Sequence, residues 1–356
     1  MYQTKIALIT PSLKAGGLEK VVSMLASYGA GKYSIVVIML TSEKPFFTLD
    51  EKVQLTQTPL KITTSNKVKR FFTNGYWLRK TITAIEPNII CSFGEKYNPY
   101  VLLSLAGLNI PIYVANRASP MTYLKGYRGI ITPMLYKLAS GVILQTQKAE
   151  DLLQPKYHIK NTCVIGNPID IEYPQNKGKL IILNVGSIGG NKNQDWLISY
   201  FNELKSKKAL WELHFLGDGV KRKYCEGLVD SYGIQDKVVF HGVKKNPKAY
   251  YTNASIFAFT STSEGFPNAL AEAMAAGCAC IAYDCVAGPS DIIDDGISGF
   301  LIPVGDEEQY KEKLQLLMMD EELRRRFGEA AREKMKQFEA SKIAKRFYEF
   351  ITEPID

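Results

Sequence analysis

Short apolar runs alternate with longer helix-like stretches along the whole chain. This alternation is typical of parallel sheets whose strands are buried on both faces by helices. In the first half, strands are predicted at 6–9, 34–39, 89–91, 112–114 and 141–144. In the second half, they are predicted at 180–184, 212–215, 238–241, 256–259, 278–283 and 300–302. Each half is therefore predicted to form its own doubly wound α/β domain.

The length of 356 residues exceeds what one hydrophobic core usually supports, which also favours two domains. Glycine, proline and charged residues interrupt the apolar pattern between 164 and 179. We predict a first domain at 1–165, a linker at 166–178 and a second domain at 179–335. A C-terminal helix at 336–356 is expected to pack back on the first domain.

The net charge of +8 is distributed unevenly. Residues 1–163 contain 20 Lys and Arg against 8 Asp and Glu, whereas the rest contains 24 against 28. Such a bias favours anionic partners, although a solvated basic surface is the alternative. The six cysteines form no C-x-x-C pair and are expected to be reduced thiols, and the first ten residues lack the features of a signal peptide. We therefore expect a cytoplasmic protein.

Two glycine turns each follow a predicted strand and precede a predicted helix. The first contains Gly16 and Gly17, and the second is Val-Gly-Ser-Ile-Gly-Gly-Asn-Lys-Asn at 185–193, which carries Lys192. Glycine lets the backbone approach a ligand closely, and a helix N-terminus favours phosphate. The first turn is equally compatible with a plain strand-to-helix connection. The lysine of the second suits a diphosphate, or else is a solvated residue of the first helical turn.

The segment at 260–277, Thr-Ser-Thr-Ser-Glu-Gly-Phe-Pro-Asn-Ala-Leu-Ala-Glu-Ala-Met-Ala-Ala-Gly, is the most informative part of the chain. Glu264 is predicted in a turn after a strand, Pro267 in the first turn of a helix and Gly277 at its end. The neighbours of Glu272 are apolar, so we expect a buried helix in which this carboxylate has a partner. Two carboxylates at the carboxyl end of a sheet can bind hydroxyl-rich groups such as a ribose and a hexose. One capping and one salt-bridged glutamate is the alternative.

This segment resembles the signature of glycosyltransferase family 4, retaining sugar transferases of the GT-B fold. The E-x(7)-E spacing of Glu264 and Glu272 carries the resemblance, which covers nearly the whole chain in order. Other matching segments are Gly16-Gly17-Leu18-Glu19, Gly-Asn-Pro-Ile-Asp at 166–170, Lys192, Phe-Leu-Gly-Asp-Gly at 215–219, His241-Gly242 and Gly-Pro-Ser-Asp-Ile at 288–292. The resemblance implies an α/β fold of two facing Rossmann-like domains with a C-terminal helical segment. The first domain would bind the acceptor and the second the nucleotide-sugar.

The family's functional residues carry over by position. Glu272 would bind the ribose hydroxyls, and Lys192 with the Gly16-Gly17 loop would neutralise the diphosphate. The expected catalytic residues are Glu264, Lys192 and Arg117, with Glu264 positioning the donor sugar. The expected donor site comprises Gly16, Gly17, Ser187, Lys192, Gly217, Val243, Glu264, Gly265, Phe266, Pro267, Asn268, Ala269 and Glu272. No D-x-D motif is present and Asp294-Asp295 is expected at the surface, so we predict transfer without a metal or other cofactor.

Two departures from the family pattern matter. The family usually has an arginine five residues before Lys192, where this chain has Ser187. Losing such a charge-assisted bond weakens stabilisation of the leaving group by about 1.5–3 kcal/mol. Either another cation such as Arg117 or Lys20 compensates, or activity is reduced. Relatives also have a histidine in the first domain, and Asn116-Arg117 is the expected substitute here, since the histidines of this chain are His158, His214 and His241.

Cations alternate with aromatic residues at 66–80 and 121–138. This composition suits an anionic bilayer surface, although an amphipathic helix packed on its own sheet is the alternative. No nucleic-acid recognition motif is present, so no nucleic-acid partner is expected. We therefore expect a peripheral protein on the inner face of a bacterial cell membrane, with a glycan or polyprenyl-diphosphate-linked acceptor.

The leading hypothesis is retaining transfer of a hexose or N-acetylhexosamine from a nucleotide-sugar, with UDP favoured, to a growing lipid-linked surface glycan. Capsule, lipopolysaccharide O-antigen and exopolysaccharide are the candidate products. One alternative is a catalytically weak sugar-nucleotide-binding subunit of a glycosyltransferase pair, suggested by Ser187 and the absent histidine. Another is a nucleotide-sugar epimerase of the same fold, against which the E-x(7)-E helix argues.

Overall fold

The computed structural model describes residues 3–59, 67–122, 126, 128–157, 159, 161–204 and 210–353. The chain divides into two compact units, Met1–Pro168 with Ala340–Asp356, and Ile169–Glu339. Both units are built on parallel sheets of the Rossmann type, which confirms the predicted α/β fold class.

The first unit contains a seven-stranded parallel sheet in the order β3-β2-β1-β4-β5-β6-β7. Its strands are β1 (Lys5–Thr10), β2 (Ser34–Met39), β3 (Gln54–Gln57), β4 (Ile89–Phe93), β5 (Ile112–Ala115), β6 (Gly141–Leu144) and β7 (Thr162–Val164). Its connecting helices are α1 (Gly17–Gly29), α2 (Lys67–Ile85), α3 (Asn98–Leu105), α4 (Arg128–Tyr136) and α5 (Gln147–Tyr157), with a 3-10 turn at Pro120–Thr122.

All five strands predicted in this half are present, but the prediction missed β3 and β7. These two strands form the edges of the sheet. An edge strand has one neighbour and needs no continuous apolar run. Accordingly, β3 has the largely exposed sequence Gln-Leu-Thr-Gln, and β7 has only three half-buried residues.

The second unit contains a six-stranded parallel sheet in the order β10-β9-β8-β11-β12-β13. Its strands are β8 (Lys179–Val185), β9 (Glu212–Leu216), β10 (Val238–Phe240), β11 (Ala254–Phe259), β12 (Ala279–Asp284) and β13 (Phe300–Pro303). Its helices are α6 (Gln194–Glu203), α7 (Arg222–Tyr232), α8 (Lys248–Asn253), α9 (Asn268–Ala275), α10 (Pro289–Ile292), α11 (Glu307–Met319) and α12 (Glu321–Met335), with 3-10 turns at Gly190–Lys192 and Lys336–Phe338. All six predicted strands are present.

Apolar cores cover the sheet of the second unit on both faces. One core includes Leu197 and Phe201 of α6 with Tyr310 of α11. The other includes Leu270 and Met274 of α9. The inner strands β11 and β12 lie between the two cores and are almost wholly buried, so they have the continuous apolar runs by which they were predicted. The edge strands β10 and β13 were also predicted, because each keeps a short apolar run.

The division between the units differs from the predicted boundaries. The segment expected to be a linker joins the second unit from Ile169 onwards, because the N–H of Ile169 donates to the carbonyl of Phe338 at 2.8 Å. Farther along, the side chain of Asn176 donates to the carbonyl of Ala254 at 2.9 Å, and Tyr173 is buried. The second unit therefore runs from 169 to 339 and not from 179 to 335.

The C-terminal helix α13 (Ala340–Thr352) belongs to the first unit. Its Tyr348 hydroxyl donates to the carbonyl of Leu25 in α1 at 2.7 Å, and its ring stacks on that of Tyr33 with centroids 4.8 Å apart. Phe347 packs on Phe93 of β4. Across the described ranges, no helix combines the length and apolar character needed to cross a membrane.

Candidate functional site

The loops that follow β8, β9 and β10 are joined by their backbones at the carboxyl edge of the second sheet. The N–H of Gly186 donates to the carbonyl of Leu216, and the N–H of Ile188 to that of Asp218, both at 3.0 Å. The N–H of Gly217 donates to the carbonyl of Gly242 at the same distance. Three loops from neighbouring strands thus form one continuous rim.

Gly217 is required by this packing. Its φ of +140° is unfavourable for a residue with a side chain, and a Cβ there would overlap the carbonyl oxygen of Gly186. Gly217 and Val243 both belong to the donor site that the resemblance implies. Val243 is exposed and follows Gly242, which has a φ of +68° and provides the carbonyl that holds Gly217. These two predicted site residues therefore lie on connected loops.

Two buried amide side chains support the loop after β8. Gln194, at the start of α6, donates to the carbonyl of Ser187 at 3.0 Å and accepts from the N–H of Gly189 at 3.2 Å. Asn184, within β8, donates to the carbonyl of Ala258 at 2.8 Å. Neither residue was predicted from the sequence, although for Asn184 a polar residue inside an apolar strand is a signal of such a role. The side chain of Ser187 itself is exposed at the rim.

Lys192 and Glu264 form an ion pair between the loops after β8 and β11. Their side chains are 21% and 18% exposed, so the pair is accessible from solvent but largely enclosed. The backbones are joined as well: the N–H of Thr262 donates to the carbonyl of Asn191 at 2.9 Å, and the Thr260 hydroxyl donates to that of Lys192 at 2.6 Å. The structure thus brings together the two residues predicted to hold the diphosphate and the sugar.

A buried thiol lies beside this pair. Burial and the charge of Glu264 raise the pKa of Cys285 to about 12. The thiol therefore stays protonated at neutral pH and is a poor nucleophile. The reactive polar groups of this corner are accordingly the ammonium of Lys192 and the carboxylate of Glu264.

The residues after Glu264 lead directly into α9. Gly265, Phe266 and Pro267 are buried, and Asn268 and Ala269, which begin the helix, are half-buried. Pro267 is the N-cap of the helix, one position before the first turn where it was predicted. The expected contact segment of the donor site therefore presents its backbone and the first turn of α9.

Glu272 lies one turn into α9 and is only 7% exposed. The helix around it is buried, as predicted from its apolar neighbours. Burial and the Glu272 carboxylate together raise the pKa of the Tyr251 hydroxyl well above its usual value. The same two causes raise the pKa of the Tyr173 hydroxyl. Both hydroxyls are thus within electrostatic range of the carboxylate, and Glu272, the predicted ribose ligand, is mostly enclosed.

The carboxylate of Glu19 lies over the Gly16-Gly17 turn of the first unit. The Ser12 hydroxyl donates to Glu19 at 3.0 Å, and a Cβ at Gly16 would overlap the other oxygen of that carboxylate. The Glu19 carboxylate therefore lies directly over Gly16. A diphosphate at this turn, as the resemblance implied, would meet a negative charge.

Arg117 is buried in a polar cluster of the first unit. Its guanidinium donates to the side chain of Asn167 at 2.7 Å and lies over the ring of Phe93, 5.6 Å from the centroid. Gln145 donates to the same Asn167 oxygen at 2.8 Å. The adjacent Asn116 accepts from the Tyr136 hydroxyl at 2.6 Å. The proposed substitute Asn116-Arg117 is thus part of a fixed network at the carboxyl edge of the first sheet.

Helices α2 and α4 expose apolar side chains on the first unit. On α2, Phe72 and Tyr76 are exposed, and on α4 Ile130 and Met134 are exposed. Trp77, by contrast, packs against the core. Other residues of the predicted membrane surface, and one of the histidines, lie outside the described residues: Asn66, Tyr123, Lys125, Tyr127 and His158.

The acidic residues and the cysteines bear on whether the chain could hold a metal ion. Asp294 and Asp295 are exposed, as predicted, and Asp294 pairs with Lys334 at 2.7 Å. All six cysteines are free thiols, and five of them are buried. Among the residues with described positions, no group of three or more His, Cys, Asp or Glu side chains is arranged to hold a metal ion.

Residues 168–334 match the family described as glycosyl transferases group 1. The amylovoran biosynthesis glycosyltransferase AmsD of Erwinia amylovora is 27% identical over 344 residues, covering 93% of this chain and 94% of the relative. A Campylobacter jejuni protein named GalNAc-alpha-(1->4)-GalNAc-alpha-(1->3)-diNAcBac-PP-undecaprenol alpha-1,4-N-acetyl-D-galactosaminyltransferase is 26% identical over 364 residues, covering 98% of both chains.

A solved structure has the same fold. The G117R mutant of S. aureus TarM, crystallised with Fondaparinux, alpha-GlcNAc-glycerol and UDP, superposes with a TM-score of 0.83 at 13% identity. The match covers 98% of this chain and 100% of that structure. Together the comparisons support a glycosyltransferase of the GT-B fold, related to bacterial enzymes of polysaccharide and lipid-linked glycan synthesis.

Proposed function

We propose that this chain is a retaining glycosyltransferase that moves a hexose or N-acetylhexosamine from a UDP-sugar to a lipid-linked surface glycan. The observation that carries the proposal is the Lys192–Glu264 pair at the carboxyl edge of the second sheet. One member can neutralise a diphosphate and the other can accept hydrogen bonds from sugar hydroxyls. The two ends of a nucleotide-sugar require these two chemistries side by side.

The proposed reaction breaks the bond between the anomeric carbon and the diphosphate oxygen, whose electron pair leaves with the diphosphate. The acceptor oxygen bonds to the anomeric carbon on the same face, and its proton passes to the departing diphosphate oxygen. Lys192 stabilises the charge that develops on that oxygen. Glu264 and the backbone that begins α9 hold the sugar and the phosphates, and Glu272 binds the ribose hydroxyls. The protein's own cation performs the neutralisation, so we propose that no metal cofactor is needed.

UDP and the lipid-linked acceptor are supported by relatives. The TarM structure contains UDP, and the name of the Campylobacter jejuni relative specifies a PP-undecaprenol acceptor. For this chain we propose acceptors of the same chemical class, a saccharide on a polyprenyl diphosphate. The product would be a bacterial surface polysaccharide, synthesised on the cytoplasmic side of the membrane.

We further propose peripheral binding to an anionic membrane through α2 and α4. The exposed Phe72 and Tyr76 of α2 and Ile130 of α4 lie in the basic half of the chain. Apolar side chains beside cations suit the boundary between headgroups and acyl chains. Co-sedimentation with phosphatidylglycerol vesicles, but not with phosphatidylcholine vesicles, is expected for the full chain. The Phe72→Ser/Ile130→Ser variant should sediment less, and equal sedimentation would contradict the proposal.

The test of transfer uses the purified chain, a panel of UDP- and GDP-sugars and a polyprenyl-diphosphate-linked acceptor. We expect nucleotide release from one UDP-sugar, a product with the donor's anomeric configuration, and no loss of rate in EDTA. Lys192→Ala and Glu264→Ala should lose turnover. Lys248→Ala is the matched control, because it breaks another ion pair of the second unit, to Asp170 at 2.6 Å, and should keep turnover.

Two other outcomes would replace the proposal. Tight binding of the donor without release, even with acceptor present, would favour a binding subunit and direct attention to Ser187. Isomerisation of the donor without acceptor would favour an epimerase. A rate that EDTA abolishes and Mg²⁺ restores would overturn the metal-independent part alone.

A further inference from the structure

A cavity of about 470 Å³ lies beside the Lys192–Glu264 corner in the second unit. Helices α6 and α7 and the turn before α11 form its walls. Its volume falls within the range of about 300–1,000 Å³ that is usual for small-molecule sites. The donor site as proposed above does not use this cavity.

Aromatic rings make up much of the lining. Trp196 and Tyr283 form the inner wall, with centroids 5.9 Å apart, and both pack on Tyr310, at 5.2 and 4.8 Å. Tyr224 and Tyr232 of α7 form the outer wall, and Tyr224 is 57% exposed. The inner rings are thus fixed by the core, while the Tyr224 ring is largely exposed, with the Lys221 ammonium 6.0 Å from its centroid. Such rings offer flat apolar surfaces on which the C–H face of a pyranose can pack.

Polar groups surround these rings. Asp195 lies on the lining and pairs with Lys221 at 2.9 Å. The hydroxyls of Ser199 and Tyr232 are 3.2 Å apart, and Thr262 adds a third hydroxyl. Hydroxyl and carboxylate groups can exchange hydrogen bonds with the hydroxyls of a sugar. Because the nearby ammonium of Lys221 is paired with Asp195, a neutral ligand fits this lining better than a phosphate.

The cavity shares a wall with the proposed donor site. Asn193 and Thr262 line the cavity, and each is close in sequence to a member of the Lys192–Glu264 pair. The N–H of Thr262 donates to the carbonyl of Asn191 at 2.9 Å, which joins the two segments of this wall. A ligand in the cavity would therefore lie next to the donor without occupying its place.

From these contacts we infer a second binding site in the cavity, for a neutral saccharide unit of a glycan. The aromatic walls would take the apolar face of one or two sugar rings, and the polar rim would bind their hydroxyls. This site goes beyond the proposed donor and acceptor roles, and its occupancy does not require turnover.

The experiment uses the full chain labelled with 5-fluorotryptophan. Trp77, Trp196 and Trp211 give one fluorine resonance each, and Trp→Phe variants assign them. The probes are methyl α-glycosides of glucose, galactose, N-acetylglucosamine and N-acetylgalactosamine, with uridine and adenosine as nucleoside probes. We expect at least one glycoside to shift the Trp196 resonance saturably, with a Kd on the order of 1 mM, also when UDP is present at saturation.

Variants locate the binding. Tyr224→Ala should weaken the glycoside affinity by about fivefold or more, while Tyr224→Phe, which keeps the ring, should retain it. Ile297→Ala is the control, because this residue is exposed on the same unit and is not part of the lining. UDP binding, measured by calorimetry on the same samples, should be unchanged in all three variants.

Three results would overturn the inference. One is that no glycoside shifts the Trp196 resonance. Another is that UDP abolishes the shift, which would assign the sugar to the donor site. The third is that only the nucleosides shift it, which would make the cavity a nucleoside site. A failure of UDP to bind would instead contradict the proposed function, so the two failures are distinguishable.

Discussion

Replacing Lys192 by methionine removes the ammonium and keeps most of the side-chain length. On the proposed assignment, the variant loses a charge-assisted contact to the diphosphate. Such contacts contribute about 1.5–3 kcal/mol, and the middle of that range corresponds to roughly 40-fold weaker UDP binding. Calorimetric titration with UDP measures this directly, because it needs neither the acceptor nor turnover.

The same substitution should also lower stability, for a separate reason. It leaves the carboxylate of Glu264 without its ammonium partner in a setting that is only 18% exposed. Exposed pairs contribute about 0.2–1 kcal/mol, whereas breaking a buried pair costs about 3–5 kcal/mol, so we expect a loss of about 2 kcal/mol. For a unit of this size that corresponds to a decrease in Tm of roughly 4–8 °C.

A double-mutant cycle separates the two effects. Glu264→Gln removes the unpaired charge, so Lys192→Met/Glu264→Gln should recover much of the Tm lost by Lys192→Met. It should not recover the UDP affinity of the wild type. Glu264→Gln alone should bind UDP at least as tightly as the wild type, because Lys192 no longer has a competing carboxylate, but should lose turnover.

The control for this cycle is Lys248→Met, which breaks the ion pair to Asp170. It should lower stability slightly and leave UDP affinity unchanged. Equal UDP affinity in Lys192→Met and the wild type would refute the assignment of the diphosphate to Lys192. A loss of UDP affinity in Glu264→Gln as large as that in Lys192→Met would refute the division of roles between the two residues.

Three further predictions test separate features. Ser187→Arg should tighten UDP binding about tenfold, since the exposed position can place a guanidinium at the rim. Ser187→Gln should leave the UDP affinity unchanged. Equal UDP affinities in the two variants would argue against a phosphate near this position. Gly217→Ala should lower the free energy of unfolding, measured in urea, by about 3 kcal/mol or more, because its Cβ meets a backbone carbonyl. Gly178→Ala, at a φ of +60° in open space, should lower it by about 1 kcal/mol. Similar losses in the two variants would contradict the packing argument. Burial, His214 and a nearby lysine hold the pKa of His241 below its usual value. Its protonation therefore favours the unfolded chain, so the stability it contributes is present above about pH 6.5 and is lost as the pH falls through the lower folded-state pKa. The Tm of the wild type should fall more between about pH 7 and pH 5 than that of His241→Gln, and parallel curves would exclude this origin.

The sequence predicted the inner strands of both sheets best, because strands such as β4 and β11 are buried on both faces. The same reasoning predicted the burial of Glu272, since a carboxylate among apolar neighbours on every side of a helix has no solvent to face. It failed for β3, whose polar edge position resembles a loop. Local pattern identifies a residue's environment only where burial dictates composition.

Contacts between distant segments could not be predicted in this way. The sequence places a glycine at 217, but the carbonyl of Gly186 that excludes a Cβ there comes from a different strand connection. Likewise, the E-x(7)-E pattern singles out Glu264 without indicating that its partner is Lys192. At Gly16, the phosphate loop stays a prediction, and the sequence pattern did not indicate that the Glu19 carboxylate lies over the turn.

The contrast between the two glycine turns bears on how the donor would enter and the product leave. A diphosphate at Gly16 would have to displace Glu19. At Lys192 it would take the place of the Glu264 carboxylate, which can then accept hydrogen bonds from the sugar hydroxyls. A UDP-sugar compensates both members of the pair, since its phosphates bind the ammonium and its sugar hydroxyls bind Glu264. UDP alone satisfies Lys192 and leaves the Glu264 carboxylate uncompensated beside the phosphates. On the proposed assignment the ion pair therefore favours the intact donor over the product, and its re-formation after transfer would help to release UDP.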